Sequence, residues 1–205
     1  MTQIIFIHGG STYDSYDAYL EDLKAETFTA DDFAALTRKR WRDGLQEALG
    51  PDYAVIKPIM PCAANAKYLE WKIYFDKLVP FMRDGVIFVG HSLGGIFLAK
   101  YISEAEFPKD IGSVFLVAAP YATGPADKIV DFMLDGKLAR LAELGPKVHL
   151  YHSKDDPVVN FGDLAKYQRL LPRAESRVCA DKGHFLLEDF PGIVADIRDS
   201  EVRPR

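Results

Sequence analysis

Gly90-His91-Ser92-Leu93-Gly94 sets a serine at the centre of a G-x-S-x-G pattern. A serine hydroxyl is a useful nucleophile only where a base removes its proton and fixed N–H groups receive the charge that develops on the attacked carbonyl. The neighbours of the pattern give it weight. Val86-Ile87-Phe88-Val89 reads as a buried strand and Ile96–Ser103 as a helix, so Ser92 stands at a strand-to-helix turn too tight for side chains at the flanking glycines. Such a turn lifts the Ser92 hydroxyl above the sheet, beside a helix N-terminus and the N–H of Leu93.

Five histidines are candidates for the base: His8, His91, His149, His152 and His184. His8 ends the first apolar run, His91 sits inside the turn, and His149 and His152 belong to a strand. His184 alone lies in a loop after the last strand, Asp181-Lys182-Gly183-His184-Phe185. A loop at the C-terminal edge of a parallel sheet reaches a nucleophile at the same edge. The imidazole then needs an acid to fix its tautomer. Lys154-Asp155-Asp156-Pro157 offers two carboxylates, of which Asp156 is favoured and Asp155 is the alternative. The second N–H facing the oxyanion is expected from His8-Gly9-Gly10-Ser11: the donor is the backbone of Gly10, with Ser11 as the alternative, and His8 braces the loop.

Bringing these groups to one edge requires a sheet buried on both faces. Ile4-Ile5-Phe6-Ile7 is a fully apolar, β-branched run ended by Gly9-Gly10, and reads as its first strand. Tyr53–Met60 follows, where Pro58 implies an edge position or a strand end, then Val86–Val89, Val114–Ala118, Val148–His152 and Ser176–Cys179. Helices are predicted over Asp14–Lys24, Ala30–Leu49, Tyr68–Met82, Ile96–Ser103, Asp127–Leu144, Phe161–Leu171 and Pro191–Arg198. Strand and helix alternate throughout. The expected fold is α/β: a three-layer sandwich with a mostly parallel sheet of about six strands and helices on both faces.

Composition bounds the partners. The 205 residues, 48% apolar, fit a single domain spanning 1–205, with 11–50 as an extended helical insertion after the first strand. A net charge of −5, from 25 basic and 30 acidic residues, gives no reason to expect nucleic acid as a partner. No apolar run approaches the roughly 20 residues of a membrane span, and the first residues lack the basic and apolar regions of a secretory signal, which points to the cytoplasm. Cys62 and Cys179 are too few for a disulfide framework and have no metal-ligand spacing; two buried free thiols are expected.

The order Ser92, Asp156, His184, with gaps of 64 and 28 residues, resembles that of the α/β-hydrolase superfamily and differs from other Ser-His-Asp enzymes. The resemblance covers nearly the whole chain, through Ile4–Gly10, Val86–Gly95, Val114–Pro120, Val148–Val159 and Gly183-His184-Phe185. Glu70-Trp71, Asp155-Asp156-Pro157 and the compact length are similar to the small lidless serine hydrolases of the retinoblastoma-binding protein nine group. Ser11–Gly50 departs from that group by its length, which leaves substrate preference open. About 26 residues separate Pro120 from Lys147, too few for a large cap domain. Tyr13, Tyr16 and Tyr19 are expected to pack on the sheet edge rather than to close over the site.

The resemblance implies a serine hydrolase of the carboxylesterase type. It would cleave a small-molecule acyl substrate through a covalent acyl-enzyme, with Ser92, Asp156 and His184 as triad, Leu93 and Gly10 as oxyanion donors, and neither metal nor organic cofactor. The alternatives are an amide or thioester hydrolase of the same fold, or a non-catalytic binding protein built on it. Oligomeric state is not encoded in these features.

Overall fold

A computed structural model describes residues 1–104, 106–122, 129–134, 136 and 138–202. Six strands form one sheet: Thr2–Ile7 (β1), Tyr53–Ile56 (β2), Val86–His91 (β3), Ile111–Val117 (β4), Val148–Ser153 (β5) and Glu175–Cys179 (β6). Their order is β2-β1-β3-β4-β5-β6, and every neighbouring pair is parallel. The helices are Tyr16–Ala25 (α1), Ala30–Ala35 (α2), Trp41–Leu49 (α3), Tyr68–Asp76 (α4), Leu93–Glu104 (α5), Ala139–Glu143 (α6), Gly162–Leu170 (α7) and Pro191–Val202 (α8).

The apolar runs of the strands are explained by the two cores they feed. Ile5, Ile7, Val86, Phe88, Val114, Leu116, Val148 and Leu150 face a core completed by α4, α5, α6 and α7. Their alternates Ile4, Phe6, Ile87, Val89, Phe115, Val117 and Tyr151 face a second core completed by α3 and α8. A period of two with both faces covered makes the strand centres mostly apolar, with Ser113 and His149 as buried polar exceptions. The expected three-layer sandwich with helices on both faces is the observed one.

Several boundaries differ from the sequence reading, each for a local reason. Ala30–Leu49 is two helices. Thr29 caps α2 by accepting from the N–H of Asp32, and the chain then restarts at Trp41, where the Asp43 carboxylate accepts the Arg40 N–H. Tyr68–Met82 is α4 followed by a 3-10 turn at Val79–Phe81, which contains Pro80. β2 stops at Ile56, short of Pro58. Of the expected helix Asp127–Leu144, residues 127, 128, 135 and 137 lie outside the described residues. Those described form a 3-10 turn at Val130–Phe132 and the short α6, and no cap domain.

At the β2 edge, α3 lends a side chain to the sheet. The Gln46 carboxamide donates to Tyr53 O at 3.1 Å and accepts from Val55 N at 2.9 Å. α1 and α2 contribute no buried residue. The tyrosines expected on the sheet edge instead gather on one another, Tyr13 and Tyr16 each about Tyr19, with the Tyr13 hydroxyl on Asp22. The thiols also depart from expectation: both are free, but Cys62 is exposed and Cys179 half-buried. No described helix is long and apolar enough to cross a membrane.

Candidate active site

The strand order itself opens a crevice. From β1 the chain passes to β2 on one side and returns to β3 on the other, so the loops leaving β1 and β3 diverge at the C-terminal edge. Ser92 stands there as the single residue between β3 and α5. Its φ of 54° is left-handed, an arrangement that costs a serine on the order of 1–3 kcal/mol and persists only where the surroundings impose it. They do so here. The Ser92 N–H donates to Val117 O at 2.8 Å, and α5 lies so near β1 that a Cβ on Gly94 would meet Ile7 O at 2.3 Å. Only glycine allows that approach. On the opposite wall, a Cβ on Gly9 would lie 3.6 Å from the Ser92 hydroxyl oxygen.

His184 and Asp156 meet. The imidazole Nδ1 lies 2.9 and 3.1 Å from the two Asp156 carboxylate oxygens, and the Asp156 side chain is only 2% exposed. Asp156 Oδ1 also accepts the N–H groups of Val158 and Val159 at 2.8 and 3.0 Å, which fixes the carboxylate. With Nδ1–H donating to Asp156, Nε2 of a neutral ring is a proton acceptor. Asp155 has a different partner set: its Oδ1 accepts from the Ser153 hydroxyl and from Gly183 N at 2.9 Å. The neighbouring aspartate therefore ties the acid loop to the backbone just before His184.

Among the described residues no hydrogen bond joins the Ser92 hydroxyl to His184. His91, the residue before Ser92, does touch His184: its ring centroid lies 4.9 Å from that of His184 and its Nε2 lies 2.8 Å from His184 O. Burial first, and then the adjacent His184, push the His91 imidazole down to about 4, so it is neutral near pH 7 and its Nε2–H donates to that carbonyl. Sequence reasoning noticed His91 only as an occupant of the turn. No pattern of residue types reveals a bond to a backbone carbonyl so far along the chain.

The remaining histidines have other surroundings. His8 Nε2 accepts from Met60 N at 2.9 Å while its Nδ1 lies 2.6 Å from Gly9 O, which makes it the expected brace of the loop after β1. His149 stacks flat on Phe115 at 4.3 Å. His152 is buried, and desolvation lowers it to about 4 despite Asp163 and Asp156 nearby.

For the oxyanion, Ser11 is spoken for, since its N–H donates to Ala63 O at 2.9 Å. Gly10 is exposed, and a Cβ there would meet Ala63 O at 2.5 Å and the Leu93 side chain at 3.4 Å, so Gly10 lies beside the start of α5. Leu93 opens α5, so its N–H is one of the first-turn donors that have no acceptor within the helix. The four described non-glycine residues with positive φ, Cys62, Ser92, Ala118 and Phe185, all lie at this C-terminal edge. Such backbone strain gathers where a fold positions a site.

Comparison with known proteins bears on the fold and the family. The YdeN protein of B. subtilis superposes with a TM-score of 0.75 at 17% identity, covering 99% of this chain and 100% of its own. CarC, a serine hydrolase involved in carbazole degradation, gives 0.63 at 13%, with 99% and 92% covered. Est1E from Butyrivibrio proteoclasticus, solved with ferulic acid bound, gives 0.57 at 11%, with 98% and 88% covered. At these identities the likeness speaks for the α/β-hydrolase fold alone. A search of curated proteins finds no match. A family model described as serine hydrolase matches residues 29–190, most of the sequence, and the chain belongs to that family.

Proposed function

We propose that the chain hydrolyses small ester-type acyl substrates through Ser92, His184 and Asp156. The observation that carries the reading is the Asp156–His184 pair at 2.9 Å, at the sheet edge where Ser92 sits in its strained turn. Ser92 Oγ attacks the carbonyl carbon as His184 Nε2 takes its proton, and Asp156 stabilises the imidazolium that results. The N–H groups of Leu93 and Gly10 receive the oxyanion. His184 returns the proton to the departing alcohol, leaving an acyl-enzyme. Water then attacks that ester, again giving its proton to His184, and Ser92 leaves with it. No step calls on a metal or an organic cofactor. The leaving group is not encoded in the triad, so amides and thioesters are the rival substrate classes.

A fluorophosphonate probe is expected to label Ser92, and p-nitrophenyl esters of graded chain length to compete with it. An unlabelled, well-folded protein, or full labelling of Ser92→Ala, would overturn the reading. Turnover of thioesters or anilides with none of esters would move it to the rival class.

A further inference from the structure

The backbone that carries His184 is held with unusual completeness. From 182 to 187, each residue gives one main-chain group to a partner elsewhere in the chain. Lys182 N donates to the Ser153 hydroxyl at 2.9 Å and Gly183 N to Asp155 at 2.9 Å. Four consecutive carbonyls follow. His184 O accepts from His91 at 2.8 Å, Phe185 O from the Trp41 indole N–H at 2.9 Å, Leu186 O from Arg40 at 2.7 Å, and Leu187 O from the Trp41 backbone N–H at 2.8 Å. Three of these four donors come from the first residues of α3, at the end of the 11–50 segment.

Loops ordinarily leave such carbonyls to water. Here Phe185 has a left-handed φ of 54°, and each of the four successive carbonyls has its own donor from His91, Arg40 or Trp41. The Phe185 side chain is fully buried and packs on Phe190, and Trp41 packs edge-on against Phe6 and Phe190 at 5.4 Å each. Ring packing anchors α3 to the core, while the three donors tie the loop to α3.

We propose that Arg40 and Trp41 are positioning residues for His184: by holding the three carbonyls that follow it, they set where its imidazole stands between Asp156 and Ser92. This rests on the reading of His184 as the base. It also gives the long 11–50 segment a function as a buttress of the histidine loop.

The test uses the full chain and two variants chosen to keep the fold. Trp41→Phe removes the indole donor and keeps a ring in the core; Arg40→Gln shortens the reach to Leu186 O. For the double variant, the rate of fluorophosphonate labelling of Ser92 is expected to fall between about ten- and a hundredfold, the loss that displacement by about 1 Å produces. Its pH midpoint is expected to shift. Arg40→Lys, which still donates, is expected to restore most of the Arg40→Gln loss. A second readout is independent of labelling: the downfield proton resonance of His184 Nδ1–H, present in the wild type and broadened or lost in the double variant. Wild-type rate, midpoint and resonance in a folded double variant would make Trp41 and Arg40 packing residues only and overturn the proposal, as would a rate loss that merely tracks the unfolded fraction. If wild type and His184→Ala label alike, the catalytic reading fails instead. The resonance then decides on the clamp: its loss in the double variant supports it, and its persistence overturns it.

Discussion

Asp155 and Asp156 are chemically identical neighbours with different tasks, and the difference lies in what each oxygen accepts. Asp156 gives both oxygens to His184, whereas Asp155 holds Gly183 and Ser153. Asp156→Asn is expected to leave a folded protein whose ester turnover falls by about ten-thousandfold, because an amide presents a donor where the ring needs an acceptor. Asp155→Asn is expected to cost far less, about tenfold, because it loosens the loop without changing the tautomer. Equal losses in steady-state turnover would show that the two share one task. Sequence favoured Asp156 and left Asp155 open, since adjacency in the chain cannot say which carboxylate turns toward the loop of His184. The turn at Ser92 and the place of His184 in a loop beside Asp156 were legible because a tight turn and a loop after the last strand are local features. His91, Trp41 and Arg40 were not, because their partners are backbone carbonyls remote in sequence.

The elements that build the site differ in how firmly they are held. α3 buries Trp41, Leu45 and Leu49 against the sheet, whereas α1 and α2 bury nothing. Leu45→Ala is expected to lower stability by about 2–5 kcal/mol in urea unfolding, the usual cost of emptying a packed leucine site. Phe33→Ser on α2, where the ring is 73% exposed, is expected to stay within about 0.5 kcal/mol of wild type. A large loss there would mean that α2 packs in solution. The sequence showed helical spacing straight through Ala30–Leu49. Arg40 and Trp41, just after the break, also bond residues 185–187, contacts that no window on 30–49 contains. The central strands were read closely because a sheet covered on both faces writes a largely apolar run into them, whereas the edge strand β6 is mostly polar; strand ends depend on pairing and drifted by a few residues.

Across the whole molecule, burial of histidines gives stability a pH dependence of definite sign. His91 and His152 titrate near 6.5 when exposed and near 4 in the fold, so the unfolded chain binds more protons between those values. Their contribution is complete above about pH 6.5 and is lost as pH falls towards 4, on the order of 2 kcal/mol each. The carboxylates held low by hydrogen bonds, Asp32 and Asp155, act in the same direction, but only below their ordinary range. The urea midpoint is therefore expected to drop between pH 7 and pH 4.5, and His152→Leu to flatten that slope. A slope unchanged by His152→Leu would assign the effect elsewhere. His152 Nε2 has no partner among the described residues, so a proton gained there would find no acceptor.

A parallel sheet has two flanks, and each is an invitation to polymerise unless something closes it. At β2 the closing device is one carboxamide: Gln46 offers its oxygen to Val55 and its nitrogen to Tyr53 in place of the strand that another molecule would supply. Crowding then finds no vacant donor and acceptor pair at those residues. Gln46→Leu is expected to raise the rate of fibrillar or amorphous self-association at high concentration while leaving ester turnover per folded molecule unchanged, as read by light scattering alongside activity. One helix thus bonds the histidine loop at its first turn and the sheet's open edge further along.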